Sequence, residues 1–345
     1  MAELIVDEKY KSILSLRETE RGIKFVKDAF QNNLSRDLRL QRVSAPLFVK
    51  AGSGVNDDLN GSEKKVSFKI KDGQSSAEVV FSLAKWKRMV LADYKFSPGE
   101  GLYTDMNAIR PDEDSLDNMH SVYVDQWDWE RIITRKQRNL VFLKAIVRKI
   151  YSALRETEAA VYKKYPRIKP VLPKEIAFIH SEDLAKMYPE LTPREREYRA
   201  AKTHGAVFVI GIGGALTDGK PHDGRAPDYD DWTTSTINGK KGLNGDIFVW
   251  YEPLRIAFEL SSMGIRVDRT ALLKQLKIAN ALGRKKLYWH KRLLANRLPL
   301  TIGGGIGQSR LCMFLLKKLH IGEVHASVWP APMAAVCAKA GIRLL

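Results

Sequence analysis

The fold of this chain is decided by the stretch Thr301-Ile302-Gly303-Gly304-Gly305-Ile306-Gly307-Gln308-Ser309-Arg310. Three adjacent glycines follow a short apolar run, and a fourth opens an apolar helical pattern that contains Arg310. Glycine leaves bare backbone on which a ligand can lie flat, and the start of a helix favours an anion beside the arginine. A tight turn without a ligand is the alternative. The run is neither a Walker loop, since no Lys-Ser/Thr pair follows, nor a good dinucleotide fingerprint.

A predicted hairpin over residues 102–130 supplies a second polar group. Arg110 ends its first strand, and an acidic turn containing Glu113 leads into the second. Side chains alternate along a strand, so every second residue lies on one face. That face carries Gln126, Asp128 and Glu130, with Trp127 and Trp129 on the other. Three polar side chains beside tryptophans do not suit a packed core. The face is therefore either exposed to solvent or part of a site, and in a site Arg110 could hold a phosphate.

Two acidic residues on neighbouring predicted strands, Asp246 and Glu259, form a third group. Two carboxylates that face the same way across a hairpin can hold Mg²⁺ that bridges nucleotide phosphates. An ordinary surface hairpin is the alternative. The polar residues that follow are Ser261, Ser262 and Arg266, and a further polar cluster occupies the loop from Arg225 to Asp231, which can close over a site.

The rest of the chain predicts helices packed on a largely antiparallel sheet. Apolar residues at helical spacing predict amphipathic helices over roughly 19–35 and 140–154. Alternation predicts a hairpin over 66–81. Strands joined mostly by hairpins imply an α+β fold, with a largely antiparallel mixed β-sheet flanked by helices. No repeat or linker is evident, so we expect one catalytic domain over 19–345 after an N-terminal extension, 1–18.

Charge and composition limit the possible partners. The 345 residues carry a net charge of +17, which is typical either of nucleic-acid binding or of a solvated surface around a site for anions. The basic residues lie inside helical patterns without a basic tail, so nucleic-acid binding is the less favoured interpretation.

Cys312 and Cys337 form no CxxC pair, so we expect them reduced and buried. No apolar run could span a bilayer and no signal peptide is present, so we expect a cytoplasmic protein without a membrane partner.

Three of these segments resemble the signature motifs of class II aminoacyl-tRNA synthetases. They are Arg39 to Phe48 with Pro46, Arg110 to Glu130, and Gly303 to Met313. No separate anticodon-binding domain follows the third. With five further stretches, the chain from about residue 20 to its end closely resembles the ammonia-dependent asparagine synthetases. Those stretches are Ser82 to Arg88, Gly99 to Tyr103, Tyr123 to Glu130, Arg225 to Trp232 and Phe258 to Asp268.

This resemblance implies an AMP-forming reaction in which aspartate, ammonia and ATP give asparagine, AMP and pyrophosphate through a β-aspartyl-adenylate. It implies that Arg110 grips the α-phosphate and that Arg310 lies near adenine and reaches the γ-phosphate. Asp246 and Glu259 are then the Mg²⁺ ligands, and Arg266 adds positive charge. The first motif implies a homodimer.

The resemblance leaves the substrate end open. Candidates for the aspartate α-amino group are Asp57, Asp128, Asp230 and Gln126. Candidates for the α-carboxylate are Lys87 and Arg225, with Ser261 and Ser262 nearby, while Gly305 and Gln126 also face ATP. Asp57 is a catalytic candidate among the acids that could deprotonate ammonium. A paralogue that transfers an aminoacyl group to tRNA or another acceptor is the alternative function, and an inactive binding module is a third.

Overall fold

A computed structural model of the chain describes residues 4–7, 9–56, 64–71, 75–111 and 116–345. The described strands are β1 Leu40–Arg42, β2 Phe48–Lys50, β3 Ser67–Ile70, β4 Ser75–Val79, β5 Gly101–Ile109, β6 Tyr123–Ile132, β7 Ala177–His180, β8 Ala206–Ile210, β9 Asn244–Tyr251, β10 Ile256–Ile265 and β11 Thr301–Gly307. The described α-helices are α1 Leu16–Leu38, α2 Ala84–Asp93, α3 Leu140–Lys164, α4 Ser181–Met187, α5 Pro193–His204, α6 Arg269–Ile278, α7 Tyr288–Leu294, α8 Gln308–Leu315 and α9 Ala331–Lys339.

Eight of the described strands form one sheet in the order β1-β5-β6-β11-β10-β9-β8-β7. The inner pairs are antiparallel, while β1 with β5 and β7 with β8 are parallel at the two edges. A smaller sheet, β2-β4-β3, contains the predicted hairpin over 66–81. The predicted α+β class with a largely antiparallel mixed sheet is therefore confirmed.

One face of the large sheet carries the main hydrophobic core. Trp127 and Trp129 of β6 are fully buried there, and the Trp127 ring centroid lies 4.8 Å from that of Phe30 in α1. Val147 of α3 belongs to the same cluster. Since side chains alternate along β6, the polar residues between the tryptophans point to the opposite face. The two predicted amphipathic helices thus close one side of the sheet and leave the other for a site.

Local signals set the start of α1. Ser15 Oγ accepts a hydrogen bond from Glu18 N at 3.4 Å, and Ser15 N donates to Glu18 Oε2 at 2.8 Å, a capping box. The helix therefore begins a turn earlier than the predicted residue 19. Upstream of it, Tyr10 OH donates to Glu323 Oε1 at 2.9 Å, so the N-terminal segment contacts the C-terminal part of the chain.

The interpretation of the glycine run as a turn is wrong. The glycines belong to β11, which is paired with β6 on one side and β10 on the other. The helix α8 follows directly, and α9 comes after it. Cys312 and Cys337 are free and buried, as predicted. Within the described residues, no helix is both long and apolar enough to cross a membrane.

Candidate active site

A cavity of about 300 Å³ opens on the polar face of β6 and β11. The predicted site residues line this cavity, with the exception of Asp57 and Asp246. Those that line the cavity are Lys87, Arg110, Gln126, Asp128, Arg225, Asp230, Glu259, Ser261, Ser262, Arg266, Gly305 and Arg310. Asp246 does not line it and instead contacts Arg225. Asp57 lies outside the described residues, as does Glu113.

The register of three strands explains the bare floor of this cavity. Gly305 is paired with Asp128 of β6 on one side and with Ser262 of β10 on the other. Gly303 is paired likewise with Glu130 and with a further glycine of β10. Directly paired residues point to the same face of a sheet. Polar side chains therefore flank a strip of backbone without side chains, which we call the glycine floor (Gly303, Gly305 and Gly307).

Side chains of β6 reach over the glycine floor and lie against its backbone. A Cβ atom added to Gly305 would collide with Gln126 Oε1 and would lie 3.0 Å from Asp128 Oδ1. One added to Gly303 would collide with the Glu130 carboxylate. These glycines are thus required for the close approach of neighbouring side chains rather than for a turn.

A buried ion-pair chain fixes Arg266 beneath the cavity. Glu130 is fully buried and accepts from Arg266 Nε at 3.1 Å and from Arg266 Nη2 at 3.0 Å. The remaining Nη1 donates to Asp230. Burial opposes the charge of Arg266, but the two carboxylates outweigh it and raise the pKa of Arg266 above its usual value. Arg266 therefore remains a cation held between β6 and the loop that contains Asp230.

Lys87 of α2 reaches the glycine floor from its side. Its Nζ donates to Gly304 O at 3.2 Å and lies 3.3 Å from Asp128 Oδ1. Asp128 Oδ2 also accepts from Leu83 N at 3.1 Å, just before α2. Lys87 is only 1% exposed, and burial lowers its pKa although Asp128 opposes that shift. The start of α2 and the floor strand are thus joined through one carboxylate.

The two predicted metal ligands share a face but are not directly opposite each other. Asp246 is paired with Ser262, whereas Glu259 is paired with Phe248, and the register shifts between Glu259 and Ser261. Arg225 Nη2 donates to Asp246 Oδ1. Burial raises the pKa of Asp246, Arg225 opposes the rise, and the charge of Glu259 adds to it. The carboxylates are therefore close enough to repel each other.

The arginines of the second and third motifs both line the cavity. Arg110 follows the end of β5, and its N–H donates to Val122 O at 2.8 Å. Arg310 lies in the first turn of α8, and its Nη1 donates to Glu259 O and Glu259 Oε2, each at 3.3 Å. Arg310 is partly exposed, so its guanidinium can exchange Glu259 for an anionic ligand.

One fully buried carboxylate anchors the polar loop at 225–231. Asp228 Oδ2 lies 3.0 Å from Lys85 Nζ of α2, from His290 Nε2 of α7 and from Arg284 Nη1. Burial raises the pKa of Asp228, but the positive charge of Lys85, the hydrogen bond with His290 and the charge of Arg284 outweigh it and hold the pKa well below its usual value. The loop that supplies Arg225 is therefore tied to two helices.

The sequence reasoning missed Asp125, Ser309 and His325, which also line the cavity. Two of them had a signal, since Asp125 directly precedes Gln126 and Ser309 directly precedes Arg310. His325 had none, because it reaches Ser309 from 16 residues further along the chain.

Comparison with known proteins places the chain among enzymes. A family model described as aspartate-ammonia ligase matches residues 17–341. The chain belongs to the aspartate–ammonia ligase family. It is 59% identical to the aspartate–ammonia ligase of Bacteroides thetaiotaomicron over the full length of both chains, and 56% identical to that of Clostridium perfringens, again over both full lengths. The predicted family resemblance is confirmed, as is the prediction of a ligase.

Solved structures support the fold of this aspartate–ammonia ligase family member. Asparaginyl-tRNA synthetase from Pyrococcus horikoshii, solved with asparaginyl-adenylate, matches with a TM-score of 0.65 at 16% identity. The match covers 91% of this chain and 70% of that one. Aspartyl-tRNA synthetase from Entamoeba histolytica matches with a TM-score of 0.59 at 13% identity, covering 89% and 58% of the two chains. The predicted class II synthetase-like fold is confirmed.

Proposed function

We propose that this ligase forms asparagine from aspartate, ammonia and ATP, and that it activates the aspartate β-carboxylate as an acyl adenylate. The observation that carries the proposal is the cavity at the glycine floor, where the polar ends of Gln126 and Asp128 lie against the backbone of Gly305 and arginines are among the lining residues. Such a floor suits a flat, anionic ligand. Membership of the aspartate–ammonia ligase family supplies the substrates.

The chemistry explains why an arginine-lined cavity is needed. A carboxylate is a poor electrophile because its oxygen is a poor leaving group. Attack of the β-carboxylate on the α-phosphate replaces pyrophosphate and creates a good leaving group, AMP. Neutral ammonia then attacks the β-carbonyl, AMP departs and the amide forms. The first step concentrates negative charge on the α-phosphate, so fixed cations around it lower the barrier.

We assign the phosphate end to three arginines. Arg110 binds the α-phosphate, and Arg310 lies against the adenine and reaches the γ-phosphate. Arg310 is suited to this role because its present partner, Glu259, is itself partly exposed. Arg266 lines the cavity and is held rigidly by Glu130 and Asp230, so its guanidinium is a cation whose position needs no reorganisation during the reaction.

Mg²⁺ belongs to this proposal, with Asp246 and Glu259 as its protein ligands. The residues fit, because two mutually repelling carboxylates on one sheet face favour an added cation. Two carboxylates suffice for Mg²⁺, since this ion usually takes one or two carboxylates and completes its shell with phosphates and water. When bound, the ion neutralises the pyrophosphate oxygens.

Asp246→Asn and Glu259→Gln should each raise the Mg²⁺ concentration for half-maximal activity about tenfold, and an unchanged requirement would contradict this assignment.

The aspartate end has fixed charges of both signs. Lys87 and Arg225 are the cations proposed for the α-carboxylate, and Asp128 and Asp230 are acids proposed for the α-amino group, with Gln126 beside them. These groups pair with one another: Lys87 contacts Asp128, and Arg225 Nε lies 3.6 Å from Asp230 Oδ2. A zwitterionic ligand can replace such pairs without leaving either charge buried alone. Ser261 and Ser262 are proposed as further contacts, and Asp57 as the acid that deprotonates ammonium.

The alternative, transfer of an aminoacyl group to tRNA, is not favoured. The relatives that match over the full length of both chains are aspartate–ammonia ligases, whereas the synthetases match over only part of their own chains.

One assay tests the proposal. Purified protein receives Mg²⁺, ATP and aspartate with either ammonium or tRNA, and asparagine, charged tRNA and AMP are followed. We expect asparagine and AMP in equal amounts. Charged tRNA would favour the alternative, and no consumption of ATP would contradict both.

Variants of the two motif arginines test the site. Arg110→Ala and Arg310→Ala should each abolish asparagine formation while leaving the fold intact, whereas the exposed Arg167→Ala should not change it. Wild-type turnover in either motif variant would refute the site.

We also propose a homodimer and a cytoplasmic location. The first motif ends at an exposed apolar pair, Leu47 and Phe48, beside the edge strand β1, whose only partner among the described residues is β5. A second copy of the chain would cover this surface. Sedimentation should give a dimer for the wild type and a monomer for Phe48→Asp, and a monomeric wild type would contradict the proposal. The location follows from the proposed substrates, since ATP and aspartate are cytoplasmic metabolites.

A further inference from the structure

A buried polar cluster, three of whose four members line the cavity, lies next to Arg310 and has no role in the proposed chemistry. It consists of Lys27 from α1, Asp125 from β6, Ser309 from α8 and His325, which follows α8. Asp125 is 7% exposed and is the centre of the cluster. Asp125 and Ser309 belong to the second and third signature motifs noted in the sequence, whereas Lys27 precedes the first.

The contacts of Asp125 are directed at the first turn of α8. Asp125 Oδ1 accepts from Ser309 N at 3.0 Å, and its Oδ2 accepts from Ser309 Oγ at 2.8 Å. Lys27 Nζ donates to the same Oδ2 at 2.9 Å. On the far side, His325 Nδ1 lies 2.6 Å from Ser309 Oγ, and its Nε2 lies 2.9 Å from Tyr123 O. Ser309 is thus held at both its backbone and its side chain.

This arrangement replaces a missing helix cap. The residue before α8 is Gly307, which has no side chain to accept hydrogen bonds from the first turn. A helix start without an acceptor leaves N–H groups unsatisfied. Asp125 supplies the acceptor from a neighbouring strand, and its negative charge also suits the positive end of the helix. A cap that comes from β6 fixes α8 relative to the sheet as well as satisfying its backbone.

We propose that Asp125 is a positioning residue for Arg310, and that Lys27 and Ser309 complete the support. Arg310 is the residue directly after Ser309 in the same helical turn, so the position of the Ser309 backbone sets where the Arg310 side chain begins. Gln126, on the same strand as Asp125, lines the cavity together with Arg310. The carboxylate therefore ties the arginine to the floor on which the nucleotide lies. This inference rests on the proposed role of Arg310 in binding ATP.

A double-mutant cycle on ATP affinity tests the inference. Binding of ATP with Mg²⁺ is measured by calorimetry, without aspartate, for the wild type, Asp125→Ala, Arg310→Ala and the double variant. We expect Asp125→Ala to weaken binding about tenfold in the wild-type background and by less than twofold in the Arg310→Ala background. Asp125→Asn keeps an acceptor for Ser309 N–H, so it should recover most of the affinity.

A matched control separates positioning from general stability. Glu158, also 7% exposed, accepts from two backbone N–H groups, Val171 N at 2.8 Å and Leu172 N at 3.2 Å, but does not line the cavity. Glu158→Ala should lower the melting temperature without changing ATP affinity. If Asp125→Ala does not fold, Ser309→Ala takes its place in the cycle, with about a threefold loss expected because the backbone bond remains.

The outcomes are distinct. Equal losses from Asp125→Ala in both backgrounds, or no loss at all, would overturn the positioning role while leaving the proposed function in place. Unchanged ATP binding in Arg310→Ala would instead overturn the proposed role of that arginine, and the inference with it. A loss confined to the wild-type background supports the proposal.

Discussion

The substitution Gly305→Ala tests the glycine floor with a single methyl group. In the structure, the added Cβ would collide with Gln126 Oε1 and would lie 3.0 Å from both Gln126 Cδ and Asp128 Oδ1. Ordinary contacts between heavy atoms of this kind lie at about 3.5 to 4.0 Å, so both side chains would have to retreat by about half an ångström or more. Asp128 cannot retreat freely, because Lys87 and Leu83 N hold its two oxygens.

The size of the effect follows from these distances. Overpacking of this kind costs about 1 to 3 kcal/mol, so the fold should survive with a melting temperature lowered by roughly 2 to 6 °C. Catalysis should suffer more, because the methyl group would enter the surface proposed for the nucleotide and displace two groups of the site. Misplacement of about 1 Å can cost roughly a hundredfold in rate. We therefore expect kcat/KM for ATP to fall about a hundredfold.

The assay is steady-state formation of asparagine and AMP at varied ATP, combined with thermal unfolding. Gly283→Ala is the matched control, because no heavy atom lies within 4 Å of its added Cβ. It should leave both activity and melting temperature near the wild-type values. If Gly305→Ala keeps wild-type kcat/KM for ATP, the floor is not the nucleotide surface and the reasoning from the glycines fails.

Three further changes probe the surroundings of the site. Asp228→Asn should lower the free energy of unfolding by about 3 to 5 kcal/mol in denaturant titrations, because the cationic groups around it lose their buried counter-charge; a change below 1 kcal/mol would refute its anchoring role. Glu130→Gln should reduce kcat about tenfold and also lower the free energy of unfolding, because the buried Arg266 loses one of its two carboxylate partners; unchanged kcat would show that this fixation is dispensable. Burial would raise the pKa of Asp117, but the His120 ring and two backbone N–H groups outweigh it and hold the pKa at about 2. Since that pKa is lowered on folding, its contribution is complete above about pH 4 and is lost as the pH falls through 2, so Asp117→Asn should cost about 1 kcal/mol above pH 4 and clearly less at pH 2, measured by urea unfolding across this range.

The sequence was informative where a structural signal is local. The apolar stripe of α1 and the alternation in β6 each depend on residues a few positions apart, and both were predicted. Alternation also placed Gln126 and Asp128 on the site face, because Trp127 and Trp129 had to face the core. The polar and glycine-rich motifs together identified twelve of the residues that line the cavity.

What the sequence did not predict depends on contacts between distant segments. The parallel edge pairs β1–β5 and β7–β8 leave no local pattern. The glycine run was interpreted as a turn because glycine by itself weakens a strand, and only the neighbouring side chains of β6 show why it belongs inside the sheet. Asp246 was correctly placed on a strand, but its contact with Arg225 comes from a loop twenty-one positions away.

The alternation along β6 also has a consequence for insertions and deletions. The strand presents tryptophans to the core and polar groups to the cavity, so its two faces cannot be altered independently. A one-residue deletion within β6 would turn Trp127 and Trp129 towards the nucleotide surface and bury Gln126 and Asp128 among the side chains of α1 and α3. Changes of chain length, unlike single substitutions, would therefore remove the core and the site together, whereas surface loops far from β6 can change length without either effect.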